Sequence, residues 1–162
     1  MLAAQLEREP SRYEALLHRL RVGETDFFRE PAHFDLLREV VVSAWRADPE
    51  GRTLQVWSAG CATGEEPYSV AITLDELGVL DRARILGTDL SEEALHGARR
   101  SSYSAWSLRR CDEEQRRTWF RARRGGASTS VIATRACTSG GRTTWSTVHP
   151  PGASTWSSVA TC

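Results

Sequence analysis

Leu54, Val56 and Trp57 form a short β-prone run that enters the small-residue loop Ser58-Ala59-Gly60-Cys61-Ala62-Thr63-Gly64, and Pro67 to Leu77 then reads as a helix closed by Gly78. Arg84 to Thr88 supplies a second strand, and Ser91 as N-cap, with Glu92 and Glu93 in the first turn, opens a further helix. Parallel strands require a crossover connection, usually helical. The order strand, helix, strand, helix therefore predicts an α/β fold with a parallel sheet. Upstream, Ser11 and Glu14 fit a capping box ahead of Tyr13, Leu16, Leu17 and Leu20, which predicts an amphipathic helix from Ser11 to Arg21. Pro31 suits a first helical position, and Phe34, Leu37, Val41, Ala44 and Trp45 mark the apolar face of a second helix ending near Asp48-Pro49.

Open α/β sheets bind ligands outside the carboxyl ends of their strands. That places the loop from Ser58 to Gly64 at the expected site, where small residues let a ligand approach the backbone. Asp89 ends the second strand, where an acid can accept hydrogen bonds from ribose hydroxyls; its plain alternative is a cap for the next helix. The loop is Gly-x-x-x-Gly rather than Gly-x-Gly-x-x-Gly, and Glu65-Glu66 follows it. Two carboxylates there repel a pyrophosphate, which disfavours a nicotinamide-dependent dehydrogenase. They suit a ligand with positive charge, such as S-adenosylmethionine with its ammonium and sulfonium groups. Acids at a helix N-terminus also complement its dipole, by about 0.3–1 kcal/mol each, and that role alone suffices for Glu66.

Composition narrows the classes further. Formal net charge is zero, so no global basic field attracts nucleic acid or an anionic membrane. Neither a secretory leader nor an apolar run of about 18 residues is evident, and a cytoplasmic monomer with no direct membrane insertion is expected. His18, His33, His96 and His149 are scattered, and Cys61, Cys111, Cys137 and Cys162 lack Cys-x-x-Cys spacing, so no metal site and free thiols are expected.

The average conceals a break. All 21 acidic residues precede Gln115, whereas the 41 residues from Ala122 to Cys162 hold no Asp, Glu, Leu or Phe but seven Ser, eight Thr, five Gly and six Ala. Such a stretch offers little apolar surface to offset its ordering entropy, which predicts a disordered tail at 122–162 with Trp145 and Trp156 exposed.

Three segments carry a resemblance. Thr25-Asp26-Phe27-Phe28-Arg29, Trp57-Ser58-Ala59-Gly60-Cys61-Ala62-Thr63-Gly64-Glu65-Glu66-Pro67-Tyr68-Ser69 and Gly87-Thr88-Asp89-Leu90-Ser91 resemble, in order and spacing, the CheR-type chemotaxis protein-glutamate O-methyltransferases, over roughly residues 11–121. The resemblance implies a partial Rossmann-like S-adenosylmethionine-dependent methyltransferase fold preceded by a short helical segment. Residues 1–23 would be the remnant of an N-terminal helical domain and 24–121 the first part of the cofactor-binding domain. It further implies S-adenosylmethionine as cofactor, with Thr25, Arg29, Ala59, Glu65 and Asp89 contacting it. Glutamates on the cytoplasmic helices of methyl-accepting chemoreceptors would be the substrate, with Arg29 positioning cofactor or substrate carboxylate. A fragment with little or no activity is the competing expectation.

Two later family segments, an Asn-Leu pair and a Cys-Arg-Asn strand end, do not occur in the tail. Writing Ser154 to Cys162 as codons and regrouping each triplet to end on the second base of an old codon allows Phe-Asp-Leu-Val-Val-Cys-Arg-Asn-Val. The same shift over Thr144-Trp145-Ser146 allows Asn-Leu-Val. A tail translated out of frame from somewhere between Arg121 and Gly126 is therefore expected.

Overall fold

The computed structural model describes residues 24–48 and 50–122, together with the backbone of three strands at 131–133, 142–147 and 160–161. The helix expected at Ser11 to Arg21 lies outside the described residues, as do Trp156 and the side chain of Trp145.

The helical stretch after Arg29 is α1 (Pro31–Leu36), a π-helical turn (Leu37–Val41) and α2 (Val42–Arg46). Pro31 begins it, as its fixed φ and missing N–H allow. The wider π turn adds a residue to the helical repeat and rotates the inward face by one position. Val42 is consequently buried, and Val41, assigned to the apolar face by a regular 3.6-residue period, is 40% exposed.

Strand β1 (Leu54–Ala59) pairs in parallel with β2 (Ala83–Asp89), from Leu54 opposite Ala83 to Ala59 opposite Thr88. Between them lies α3 (Glu65–Glu76), starting two residues before Pro67 and ending on Gly78, whose φ of +68° suits a residue without Cβ. The Val79 amide donates to the Leu74 carbonyl and closes that end. A 3₁₀ turn (Leu80–Arg82) leads into β2, and α4 (Glu92–Arg100) follows, capped by the Ser91 hydroxyl, which accepts from the Ala94 amide at 3.1 Å. The parallel βαβ unit read from the sequence is thus present.

Beyond it come β3 (Ser102–Tyr103), α5 (Glu113–Trp119) and β4 (Phe120–Ala122). Within the stretch expected to be disordered, the backbone of three segments is extended: β5 (Val131–Ala133), β6 (Arg142–Thr147) and β7 (Ala160–Thr161). Strand β6 joins β2 in parallel, β7 joins β6 antiparallel, and β5 lies antiparallel between β3 and β4. Backbone pairing does not require the apolar side chains whose scarcity suggested disorder. The rest of 122–162 lies outside the described residues.

The core sits on one face of β1 and β2. Leu54, Ala83 and Ile85 turn toward it, with Tyr68, Ile72 and Leu74 of α3 and Leu95 of α4. Phe27 joins from upstream, its ring edge-on to Tyr103 and Phe120 at 4.8 Å from each.

Candidate functional site

The loop between β1 and α3 is shaped by its own backbone. Gly60 has φ +71° and nothing within 4 Å of where a Cβ would stand, so conformation and not space calls for glycine. The Gly60 and Cys61 amides both donate to the Thr88 carbonyl, at 2.8 and 2.9 Å, tying the loop across the carboxyl end of the sheet. Asp89 completes the tie. One carboxylate oxygen accepts from the Ala62 amide at 2.9 Å, the other from the Ser91 amide at 2.8 Å. Helix α4 comes close here through Gly97, where an added Cβ would stand 2.9 Å from the Thr63 methyl.

A cleft of about 550 Å³ opens beside this loop, bounded by Gly60, Cys61 and Ala62 on one side and by Thr25, Arg29 and His33 on another. The volume lies in the range of small-molecule and cofactor sites. Glu24, Asp26, Glu30 and Glu66 add carboxylates to its lining. Arg29 donates to the Glu24 carbonyl, and Glu66 accepts from the Ser58 hydroxyl at 2.6 Å. Acidic groups and one guanidinium at a single mouth fit a ligand carrying an ammonium, a sulfonium and a carboxylate.

The five residues singled out from the sequence do not all face the cleft. Thr25 and Arg29 line it, whereas Ala59 is exposed at the end of β1, and Asp89 is 8% exposed at the end of β2. Glu65 is 2% exposed, its carboxylate accepting from the Thr63 hydroxyl at 2.7 Å. Burial pushes its pKa above the usual 4.5, hydrogen bonds from the Thr63 and Ser107 hydroxyls oppose that shift, and the nearby Asp26 charge adds to it. The neighbouring Glu66, read as a helix-dipole partner alone, is the carboxylate that reaches the cleft. Helix phase separates the two acids, and a sequence does not reveal which one turns inward. Burial and the Asp89 charge push the Cys61 thiol up to about 12, so it remains protonated at neutral pH. Cys61 and Cys111 are both buried free thiols. Among the described residues no group of three or more His, Cys, Asp or Glu is arranged to hold a metal ion, and no helix is long and apolar enough to cross a membrane.

Residues 23–138 match the model of the CheR methyltransferase SAM-binding domain, a span that begins after the predicted first helix and runs past residue 121. The chain is similar to the putative methyltransferase Cher3 of Pseudomonas putida, with 38% identity over 115 residues, covering 71% of this chain and 41% of that protein. It is 36% identical over 118 residues to the chemotaxis protein methyltransferase of Salmonella typhimurium, covering 72% of this chain and 39% of that one. The corresponding Escherichia coli protein is 38% identical over 110 residues, at 67% and 36%. The chain therefore spans about two-fifths of the length of the curated relatives it matches. The parallel βαβ unit, its glycine loop tied down by Asp89 and the match over residues 23–138 together show that this chain belongs to the CheR methyltransferase family, through that family's S-adenosylmethionine-binding domain.

Proposed function

We propose that this chain is the cofactor-holding part of an enzyme that methylates glutamate side chains on the cytoplasmic helices of chemoreceptors. The observation that carries this reading is the cleft in which Thr25 and Arg29 face the loop Gly60–Ala62 at the carboxyl ends of two parallel strands. S-adenosylmethionine, when bound, supplies an electrophilic methyl group. In this reading Arg29 pairs with a carboxylate, either the cofactor's or the incoming glutamate's. Glu66 and Glu65 offset positive charge near the loop, and Asp89 accepts from ribose while keeping the loop in place. The acceptor carboxylate has an ordinary pKa of about 4.3 and is ionised at neutral pH, so no general base is required. Holding the reactants in line and excluding water account for several kcal/mol of acceleration. Titration with S-adenosylhomocysteine tests the site, and transfer of labelled methyl groups to a chemoreceptor cytoplasmic domain tests the reaction. Micromolar binding with label on glutamate supports the reading; absence of both overturns it for this chain.

A second reading is a chain without turnover, in which the tail does not supply the Asn-Leu and Cys-Arg-Asn segments of the family. It rests on the proposal that 122–162 is read out of frame. Strand β6 contains Thr144-Trp145-Ser146, where the shifted frame allows Asn-Leu-Val. The nucleotide sequence decides: stop codons in the shifted frame, or no Cys-Arg-Asn there, end the out-of-frame proposal.

A further inference from the structure

Asp26 has no part in the chemistry above, yet it is the most deeply placed charge beside the cleft. Its side chain is 0% exposed, with the Arg110 Nε at 2.7 Å and an Arg109 guanidinium nitrogen at 3.2 Å. Arg110 donates a hydrogen bond to Oδ2, whereas Oδ1 faces Arg109 as an ion pair without hydrogen-bond geometry. A buried carboxylate costs several kcal/mol unless charges and hydrogen bonds compensate it, so a mere turn would be better served by a neutral residue.

The neighbouring backbone shows what the charge holds. The Phe27 amide donates to the Ser107 carbonyl at 2.9 Å, and the Phe28 amide to the Ser69 hydroxyl at 3.0 Å. Ser69 in turn donates to the Glu65 carbonyl at 2.7 Å, which links the strap to the first turn of α3. Phe28 sits at φ +54°, a conformation rare for a residue with a side chain, and therefore needs support from its surroundings. Residues 26–28 are buried, and Asp26 borders the cleft together with its neighbours Thr25 and Arg29.

We propose that Asp26 is a positioning residue: its ion pairs with Arg109 and Arg110 tie the Thr25–Arg29 strap to the segment before α5, and so set how Thr25 and Arg29 meet the cofactor. This rests on the cofactor-site reading above. Arg109 also lies over the Trp106 ring at 4.4 Å and donates to the Trp106 carbonyl at 3.1 Å.

The test compares the whole chain with its Asp26→Asn, Arg110→Met and Arg110→Lys variants by amide hydrogen exchange and by titration with S-adenosylhomocysteine. Losing a charge-assisted tie is expected to speed exchange of the Phe27 and Phe28 amides about tenfold in Asp26→Asn and Arg110→Met. The core amides of Ile72 and Leu95 are expected to stay within about twofold of the unsubstituted chain, because the effect is a local opening. Arg110→Lys, which keeps the charge, restores most of the protection. Affinity for S-adenosylhomocysteine falls with the strap, by about tenfold in Arg110→Met, whose side chain is not among those lining the cleft, as well as in Asp26→Asn. Unchanged strap exchange, an equal acceleration of all amides, or a loosened strap with undiminished affinity would each overturn the proposal. Failure of the unsubstituted chain to bind S-adenosylhomocysteine would instead overturn the cofactor-site reading, and the exchange data would still decide whether Asp26 holds the strap.

Discussion

Asp89 divides its carboxylate between the Ala62 and Ser91 amides, so a side chain expected to meet a ligand also carries the loop that would surround the ligand. Asp89→Ala is expected to cost about 1–3 kcal/mol, because the buried Ser91 amide and the half-buried Ala62 amide lose their acceptor, with the loss read from urea unfolding midpoints. Glu65 has the opposite balance. Its folded-state pKa is raised above 4.5, so between 4.5 and that raised value the folded state binds more protons than the unfolded one, and stability falls as pH rises. Glu65→Gln is accordingly expected to be more stable than the parent chain at neutral pH, with the gain fading on acidification and gone below the unfolded value; urea titrations at the two pH extremes check this. At Gly97, alanine would gain about 1 kcal/mol of helix propensity. Its Cβ would meet the Thr63 methyl at 2.9 Å, and Thr63 is held by its bond to Glu65. Overpacking of this kind costs about 1–3 kcal/mol, so Gly97→Ala is expected to lower the melting temperature rather than raise it.

Among the described α-helices, α5 is the one not expected from the sequence, although its signal is present there. Asp112 and Gln115 form a capping box: the Asp112 carboxylate accepts from the Gln115 amide at 2.7 Å, and the Gln115 side chain accepts from the Asp112 amide at 3.2 Å. The helix has seven residues, too short to stand alone, and it delivers Trp119 and Phe120 into the core beneath Phe27. Asp112→Ala is expected to cost about 0.5–2 kcal/mol, seen as a lower urea midpoint. The strands and helices of the βαβ unit were legible because their period, caps and terminal glycines are local features. The π turn at Leu37–Val41 was not, since a one-residue change of phase is visible only once Phe34 and Val42 are both packed against the same core. The antiparallel pairing of β3, β5 and β4 joins segments far apart in sequence, and no single window contains it.

At the scale of the molecule, the described residues cover the sheet unevenly. Helices α3 and α4 pack on the face carrying Leu54, Ala83 and Ile85. The opposite face presents Trp57, 68% exposed, beside its register partner Leu86, 36% exposed. Parallel sheets are normally covered on both faces, and an open apolar face favours association. The double substitution Trp57→Gln, Leu86→Gln is expected to raise the concentration at which light scattering first detects oligomers. The sequence by itself determined the βαβ order, the loop from Ser58 to Gly64, the position of Asp89 at a strand end and the family resemblance, because each depends on spacing within one or a few turns of chain. Only the tertiary structure decided that Glu66 and not Glu65 reaches the cleft, that Asp89 holds the loop, and that Asp26 meets Arg110 across 84 residues. Burial and charge pairing of that kind are set by distant segments packing together, and the spacing of residue types along a chain does not encode which side chain ends up between them.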